Sequence, residues 1–293
     1  MWNKQRIAEP GSWKVRMHSK IPLFAALVWV IGVCPMHVFA KASPEKPPEQ
    51  TLTIYVVRHG QTILNLMDRV QGISDGILTE KGITGAVAMG KGLRDVPFTA
   101  VYSSDLGRAR ETARLALEQN RVTKNWTVRE MPELREVSFG VFEGDPNWMM
   151  YGAFGTDLGL AIPDDATSLG AAIAPIVKYY GGDTKKFLEG LADFNKRFDT
   201  EYRIAESASE VYERLDRGLD RILAENAVGG NVILVAHGQS ISFLFSRLGI
   251  ELPRGSGLAN SSVTKIIYDY AEKTFTVDGP VGDMSYVEAG AAL

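Results

Sequence analysis

The sequence is poor in the residue types that most often mark a special site. Its 293 residues include one cysteine, Cys34, and four histidines, His18, His37, His59 and His237. A single cysteine excludes an intrachain disulfide and any cysteine-based metal cluster. No run of His, Cys, Asp and Glu has metal-ligand spacing, so the residues suggest neither a metal nor a cofactor. Charge of one sign is also lacking. A net charge of −3 and a pI near 5.9 do not provide the basic excess of a nucleic-acid binder, so no nucleic-acid partner is expected. Apolar residues at 45% and charged residues at 23% are ordinary for a globular chain, which excludes disorder along the body. The length suits one large domain or two small ones. Internal repeats are absent.

Long apolar runs are scarce, with one exception. Residues 21–34, IPLFAALVWVIGVC, follow Lys14, Arg16 and Lys20 and precede the small residues Ala40 and Ala42. A basic start, an apolar middle and an A-x-A-like exit predict a secretory signal peptide over 1–42, with Met17 as an alternative start. That makes the protein periplasmic or secreted. The competing reading is an uncleaved anchor, since about 20 apolar residues span a bilayer; only then would the membrane be a partner. Pro35 and His37 weaken it. A lipoprotein site at Cys34 is disfavoured by the bulky Val33. Residues 43–50, SPEKPPEQ, read as a linker too polar and proline-rich to build a core.

The folded domain is expected over 51–293. TLTIYVV (51–57), TAVYSS (99–104) and NVILVA (231–236) are β-branched runs that predict buried strands, and SVTKIIYDY and KTFTVDG predict closing strands. Helices are predicted over 78–96, over 105–119 with Ser104 or Asp105 as cap, over 207–226 from a Ser-x-x-Glu capping box, and from about 239. A short strand and a loop are expected over 127–144. The alternation predicts an α/β sheet covered on both faces. Ligands of such sheets sit beyond the carboxyl ends of the strands, where Arg58-His59 and His237-Gly238 both fall. Residues 145–205 interrupt the pattern with helical stretches and read as an insertion packed over the site. Trp148, Tyr151 and Phe154 read as packing within it, with lining of a substrate cleft as the alternative.

The chemistry concentrates at four places. In VVRHGQTILN, a neutral imidazole at His59 is a good nucleophile near pH 7. Arg58 beside it supplies forked donors for phosphate oxygens, Gly60 permits a tight turn against a ligand, and Thr62 and Asn65 add neutral donors. In VYSSDLGRARETA, Arg108 lies near a helix start, an end that already favours anions. LREVSFGVFEG supplies Glu136, with Glu133 and Glu143 as competitors. VILVAHGQS supplies His237 and Gln239.

RHGQT-x-x-N, SSDL-x-RA-x-x-TA, LRE-x-x-FG-x-x-EG and AHG, in this order, resemble the histidine phosphatase superfamily, also called phosphoglycerate mutase-like. GISDGILTEKG (72–82) resembles the segment after the family's first motif. The resemblance covers roughly 52–144 and 205–270. It implies a three-layer α/β/α sandwich with a helical insertion over the active site. It further implies that His59 becomes phosphohistidine and that Arg58, Arg108 and His237 hold the transferring phosphoryl group. Glu136 then protonates the leaving oxygen and helps activate water. Thr62, Asn65 and Gln239 are secondary phosphate contacts, and no metal takes part.

The superfamily contains phosphatases and mutases. LREVSFGVFEG resembles the phosphatase branch, since the glycolytic mutase pattern carries a His-Tyr pair where Ser138-Phe139 stand. An exported protein would also lack access to the glycolytic pool. The expected function is therefore an exported, metal-independent phosphomonoesterase acting on a small phosphorylated substrate. A phosphoglycerate-type mutase and a non-catalytic phospho-ligand binding module are the alternatives. Nothing in the sequence speaks to substrate identity or oligomeric state.

Overall fold

The computed structural model describes residues 50–162, 168–252 and 257–293. All belong to one compact unit, Lys46–Leu293. The predicted leader over 1–42 and nearly all of the linker lie outside the described residues. Among the described residues, no helix is long and apolar enough to cross a membrane.

The chain begins with β1 (Thr51–Arg58), α1 (Ile63–Leu66), α2 (Glu80–Gly92), β2 (Phe98–Ser103), α3 (Gly107–Leu117) and β3 (Val128–Glu130). Two single turns of 3₁₀ helix, Pro132–Leu134 and Gly140–Phe142, then frame the segment that carries Glu136. Residues 145–205, expected as an insertion, contain α4 (Asn147–Asp157), α5 (Leu169–Tyr179) and α6 (Thr184–Phe198). The chain then forms α7 (Ala208–Glu225), β4 (Gly230–Ala236), α8 (Gly238–Arg247), β5 (Val263–Asp269), β6 (Thr274–Val277) and α9 (Ser285–Ala291). The short α1 and the closing α9 have no counterpart in the predicted elements. Four residues are too few for a periodic signal, and α9 is a weak pattern that acquires a role only by docking on α2.

The strands form one sheet in the order β3-β2-β4-β1-β5-β6. β1, β2, β3 and β4 run parallel, while β5 and β6 are antiparallel. Side chains alternate between the faces of a strand, and here both sets are buried. Leu52, Ile54 and Val56 of β1, with Val232 and Leu234 of β4, join a core that includes Val211, Leu215 and Ile222 of α7 and Phe245 of α8. Tyr55 and Val57, with Ile233 and Val235, face the opposite way onto Met89 of α2 and Ala109 and Ala113 of α3. The result is helix, sheet and helix in three layers.

Local sequence explains the helix ends. Ser207 and Glu210 form the expected capping box of α7. For α3 the expected cap differs: the N-cap is Leu106, which brings no side-chain acceptor. The carboxylate of Asp75, from the loop before α2, accepts from the backbone N–H groups of Gly107 and Arg108 instead. Ser104 Oγ accepts only from Leu106 N, at 3.3 Å. A cap borrowed from 32 residues upstream leaves no local signature.

Candidate active site

The sheet register brings the chemistry together. Arg58 is the partner of Ala236 in the parallel β1–β4 pair, so His59 and His237 leave adjacent strands side by side. His59 N donates to the Ala236 carbonyl at 3.0 Å, and the two imidazole centroids are 5.1 Å apart. Gly60 fits here because it packs on another glycine. A Cβ on Gly60 would lie 2.7 Å from the Gly82 carbonyl oxygen, and one on Gly82 would lie 2.0 Å from the Gln61 carbonyl oxygen. The tight approach expected at Gly60 is thus made to the first turn of α2.

Hydrogen bonds assign the imidazole tautomers. His59 Nδ1 lies 2.7 Å from the Gly60 carbonyl, which can only accept. Nδ1 therefore carries the proton and Nε2 carries the lone pair. His237 has the reverse arrangement. Its Nδ1 accepts from Arg108 Nε at 3.1 Å, so in the neutral ring the proton sits on Nε2. That Nε2 is buried with no hydrogen-bond partner, as is Arg58 Nε. A buried donor without an acceptor is costly, and these two belong to the residues that flank the buried His59 imidazole. Burial, with the charges of Arg108 and Arg58, holds the His59 pKa well below the ordinary imidazole range. Burial and the same arginines, with His59, do the same for His237. Both rings are neutral near pH 7, as a nucleophile and a neutral donor require.

Arg108 is fully buried yet well satisfied. Its Nη2 donates to the Gly72 carbonyl at 2.7 Å, and its Nη1 donates to the Ser74 carbonyl at 3.0 Å and to Asp75 Oδ1 at 3.1 Å. The 72–75 loop is in turn held by Glu143, whose carboxylate accepts from the N–H groups of Gly72, Ile73, Ser74 and Phe139 at 2.9–3.1 Å. Glu143 is thus occupied in holding this loop and does not line the cavity, whereas Glu136 does. The Glu136 carboxylate accepts from Gln239 N at 2.9 Å and Ser240 N at 2.7 Å, in the first turn of α8. It also accepts from Val137 N at 2.9 Å. Glu136, Arg58, Gly238 and Gln239 share the wall of a cavity of about 830 Å³.

The sequence model described as the histidine phosphatase superfamily (branch 1) matches residues 54–166 and 180–278. The chain belongs to that superfamily. A probable phosphoglycerate mutase of Erwinia tasmaniensis is 30% identical over 247 residues, covering 81% of this chain and 95% of the relative. The crystal structure of a phosphoglycerate mutase from Bacillus anthracis matches with a TM-score of 0.67 at 35% identity, covering 83% of this chain and 97% of the other. A mycobacterial glucosyl-3-phosphoglycerate phosphatase in complex with VO3 matches with a TM-score of 0.50 at 26% identity, covering 78% and 97%. The phosphoglycerate mutase-like α/β fold expected from the motifs is the fold observed.

Within this histidine phosphatase scaffold, the remaining predicted residues divide. Asn65 and Gln239 line the cavity. Asn65 donates to Gln71 Oε1 at 3.3 Å, and Gln239 Nε2 lies 3.5 Å from the Tyr151 hydroxyl. Thr62 does not line it. Its buried hydroxyl caps α1 and donates to Gln71 Oε1 at 2.7 Å, so its place is in positioning the turn. Sequence reasoning did not single out Gln71, Asp75, Asn260 or Arg214. Asn260 donates to the His59 carbonyl at 3.0 Å, and Gln71 presents a buried Nε2 without a partner. Arg214 of α7 donates to the carbonyls of Glu133, Arg135 and Glu136 at 2.8–3.1 Å, while pairing with Glu206 at 2.6 Å. Arg69, which the motifs leave unassigned, lines the cavity and donates to the Gly144 carbonyl at 2.7 Å. Tyr151, read as packing with a cleft wall as the alternative, does line the cavity, and burial pushes its hydroxyl up to about 12.

Proposed function

We propose that the protein is an exported phosphomonoesterase that works through a phosphohistidine on His59. The observation that carries this reading is the pair of unsatisfied buried donors, Arg58 Nε and His237 Nε2, set around an imidazole whose lone pair is on Nε2. The phosphoryl oxygens of the substrate take those donors. His59 Nε2 attacks phosphorus, the P–O bond to the alcohol breaks, and a proton from Glu136 passes to the departing oxygen. Water then attacks the phosphohistidine as Glu136 takes its proton, the P–N bond breaks, and inorganic phosphate leaves. The arginines and His237 spread the charge of the transferring group through preorganised donors. No metal enters this scheme.

The mutase alternative needs a second anion site for a bisphosphate or a phosphoglycerate carboxylate. Among the described residues, the cations lining the cavity are Arg58 and Arg69, and Arg69 is engaged with Gly144. That favours hydrolysis. Export rests on the apolar run over 21–34 behind three basic residues. N-terminal sequencing of the protein recovered from its source cells tests it, with a start near Ser43 expected.

Turnover of an aryl phosphate with chelator present tests the chemistry. The parent protein should release phosphate, His59→Ala should release none, and Glu136→Gln should be slower by about 10²–10⁴. Equal rates in the parent and His59→Ala would overturn the reading. Phosphate exchange that requires a bisphosphate primer, with no net release, would favour the mutase.

A further inference from the structure

The cavity beside the phosphoryl site is far larger than a phosphate needs. Its volume of about 830 Å³ lies toward the upper end of the range for whole small-molecule ligands. Arg58, Asn65, Gln71, Glu136 and Gln239 belong to its phosphoryl end. The rest is walled by the inserted helices: Met150 and Tyr151 from α4, Ile173 from α5 and Phe187 from α6, with Phe139 and Leu252 completing it.

The polar groups in this wall are largely spoken for. Arg69 donates to the Gly144 carbonyl, Asn147 to Asp68 at 2.8 Å, and Ser242 to the Gly238 carbonyl at 2.7 Å. Gln71 Nε2 is without a partner but is tied through Asn65 and Asn260 to the His59 end, which leaves the Thr184 hydroxyl as the other polar side chain of this wall. Away from the phosphoryl end the wall is mostly apolar, and among the described residues its one cation is Arg69, whose Nη1 is held by the Gly144 carbonyl. The aromatic walls pack on one another. The Tyr151 and Phe187 rings lie within 9° of parallel, and Tyr180 meets Phe187 edge-on at 6.2 Å. Such rings favour a flat apolar partner. Tyr151 keeps its proton at all ordinary pH values and offers one neutral polar contact.

We infer that the substrate is a phosphate monoester of a hydrophobic, ring-bearing alcohol, with the ring held between α4, α5 and α6. This rests on the proposed phosphoryl site at His59 and specifies what the departing alcohol is.

The test compares esters of primary alcohols, so that leaving-group chemistry is similar. They are 2-(2-naphthyl)ethyl phosphate, glucose 6-phosphate and 3-phosphoglycerate. One methylene in an apolar pocket is worth about 10–200-fold in discrimination, so the naphthyl ester should exceed the other two by about 100-fold or more in kcat/KM. Calorimetric binding to His59→Ala reads the cavity independently of catalysis and should rank the esters in the same order. Ile173→Asp should narrow the preference by about tenfold or more. Tighter binding of the naphthyl ester with no turnover in the parent protein would uphold the cavity's preference and refute the phosphomonoesterase reading. Equal or tighter binding of glucose 6-phosphate or 3-phosphoglycerate would overturn the inference, whatever the parent protein hydrolyses.

Discussion

Two imidazoles held neutral by burial and neighbouring arginines are the centre of the account at the scale of single residues. Both have pKa values well below the ordinary 6.5 in the folded protein. In the unfolded chain they titrate near about 6.5. Below that pH the unfolded chain binds protons that the folded protein refuses. The associated stability is therefore present above the unfolded value and is lost as pH falls from there toward the folded values. The denaturant midpoint should drop on acidification from neutrality, and less steeply in His237→Gln. Imidazole nitrogen spectra should show His59 protonated on Nδ1 and His237 on Nε2, with neither ring titrating near 6.5. A ring that titrates there would contradict the assignment. His59, His237, Arg58 and Arg108 were legible in the sequence because each closes a strand or opens a helix within a dense motif. Asp75 and Asn260 were not. Their partners are the start of α3 and the His59 carbonyl, the latter 201 positions away, and only the folded sheet brings them near.

At the scale of elements, α7 and α8 together place the acid. The first turn of α8 offers the N–H groups of Gln239 and Ser240 to Glu136, an anion-binding arrangement common to helix N-termini. From the other side, Arg214 of α7 grips the carbonyls of Glu133, Arg135 and Glu136, and its partner Glu206 accepts from Ser138 N at 3.1 Å. Arg214 is not among the residues lining the cavity, so its expected role is to position Glu136. Arg214→Met should cost about 3 kcal/mol, since it leaves Glu206 unpaired in a largely buried place. It should also lower kcat by about tenfold or more with little change in KM, because phosphate binding rests on other elements. Arg214→Lys should recover only part of this, an ammonium being unable to span the same carbonyls. A parallel loss in KM would argue for a direct substrate contact. The helical face of Arg214 was readable from α7's periodicity. Its target was not, because the 133–136 turn has irregular backbone whose carbonyls carry no residue-specific sign.

Across the whole molecule, the layered sheet fixes where chemistry happens and the inserted helices shape what reaches it. Burial of β1 and β4 on both faces was legible, since the runs are continuously apolar and the strand ends carry the motifs. The insertion was legible only as helical. Its lining depends on which sides of α4, α5 and α6 face the cavity, and that is set by packing against the core through Phe154, Ile176 and Phe194. The central claim is that phosphorus becomes bonded to His59. The most direct measurement is to mix the protein with a phosphate monoester, quench rapidly in alkaline denaturant, and locate any added phosphoryl group by peptide mass spectrometry. The account predicts one phosphoryl group on His59, formed within a single turnover and absent in His59→Ala. Full turnover without any phosphohistidine, or phosphorylation at another residue, would contradict it.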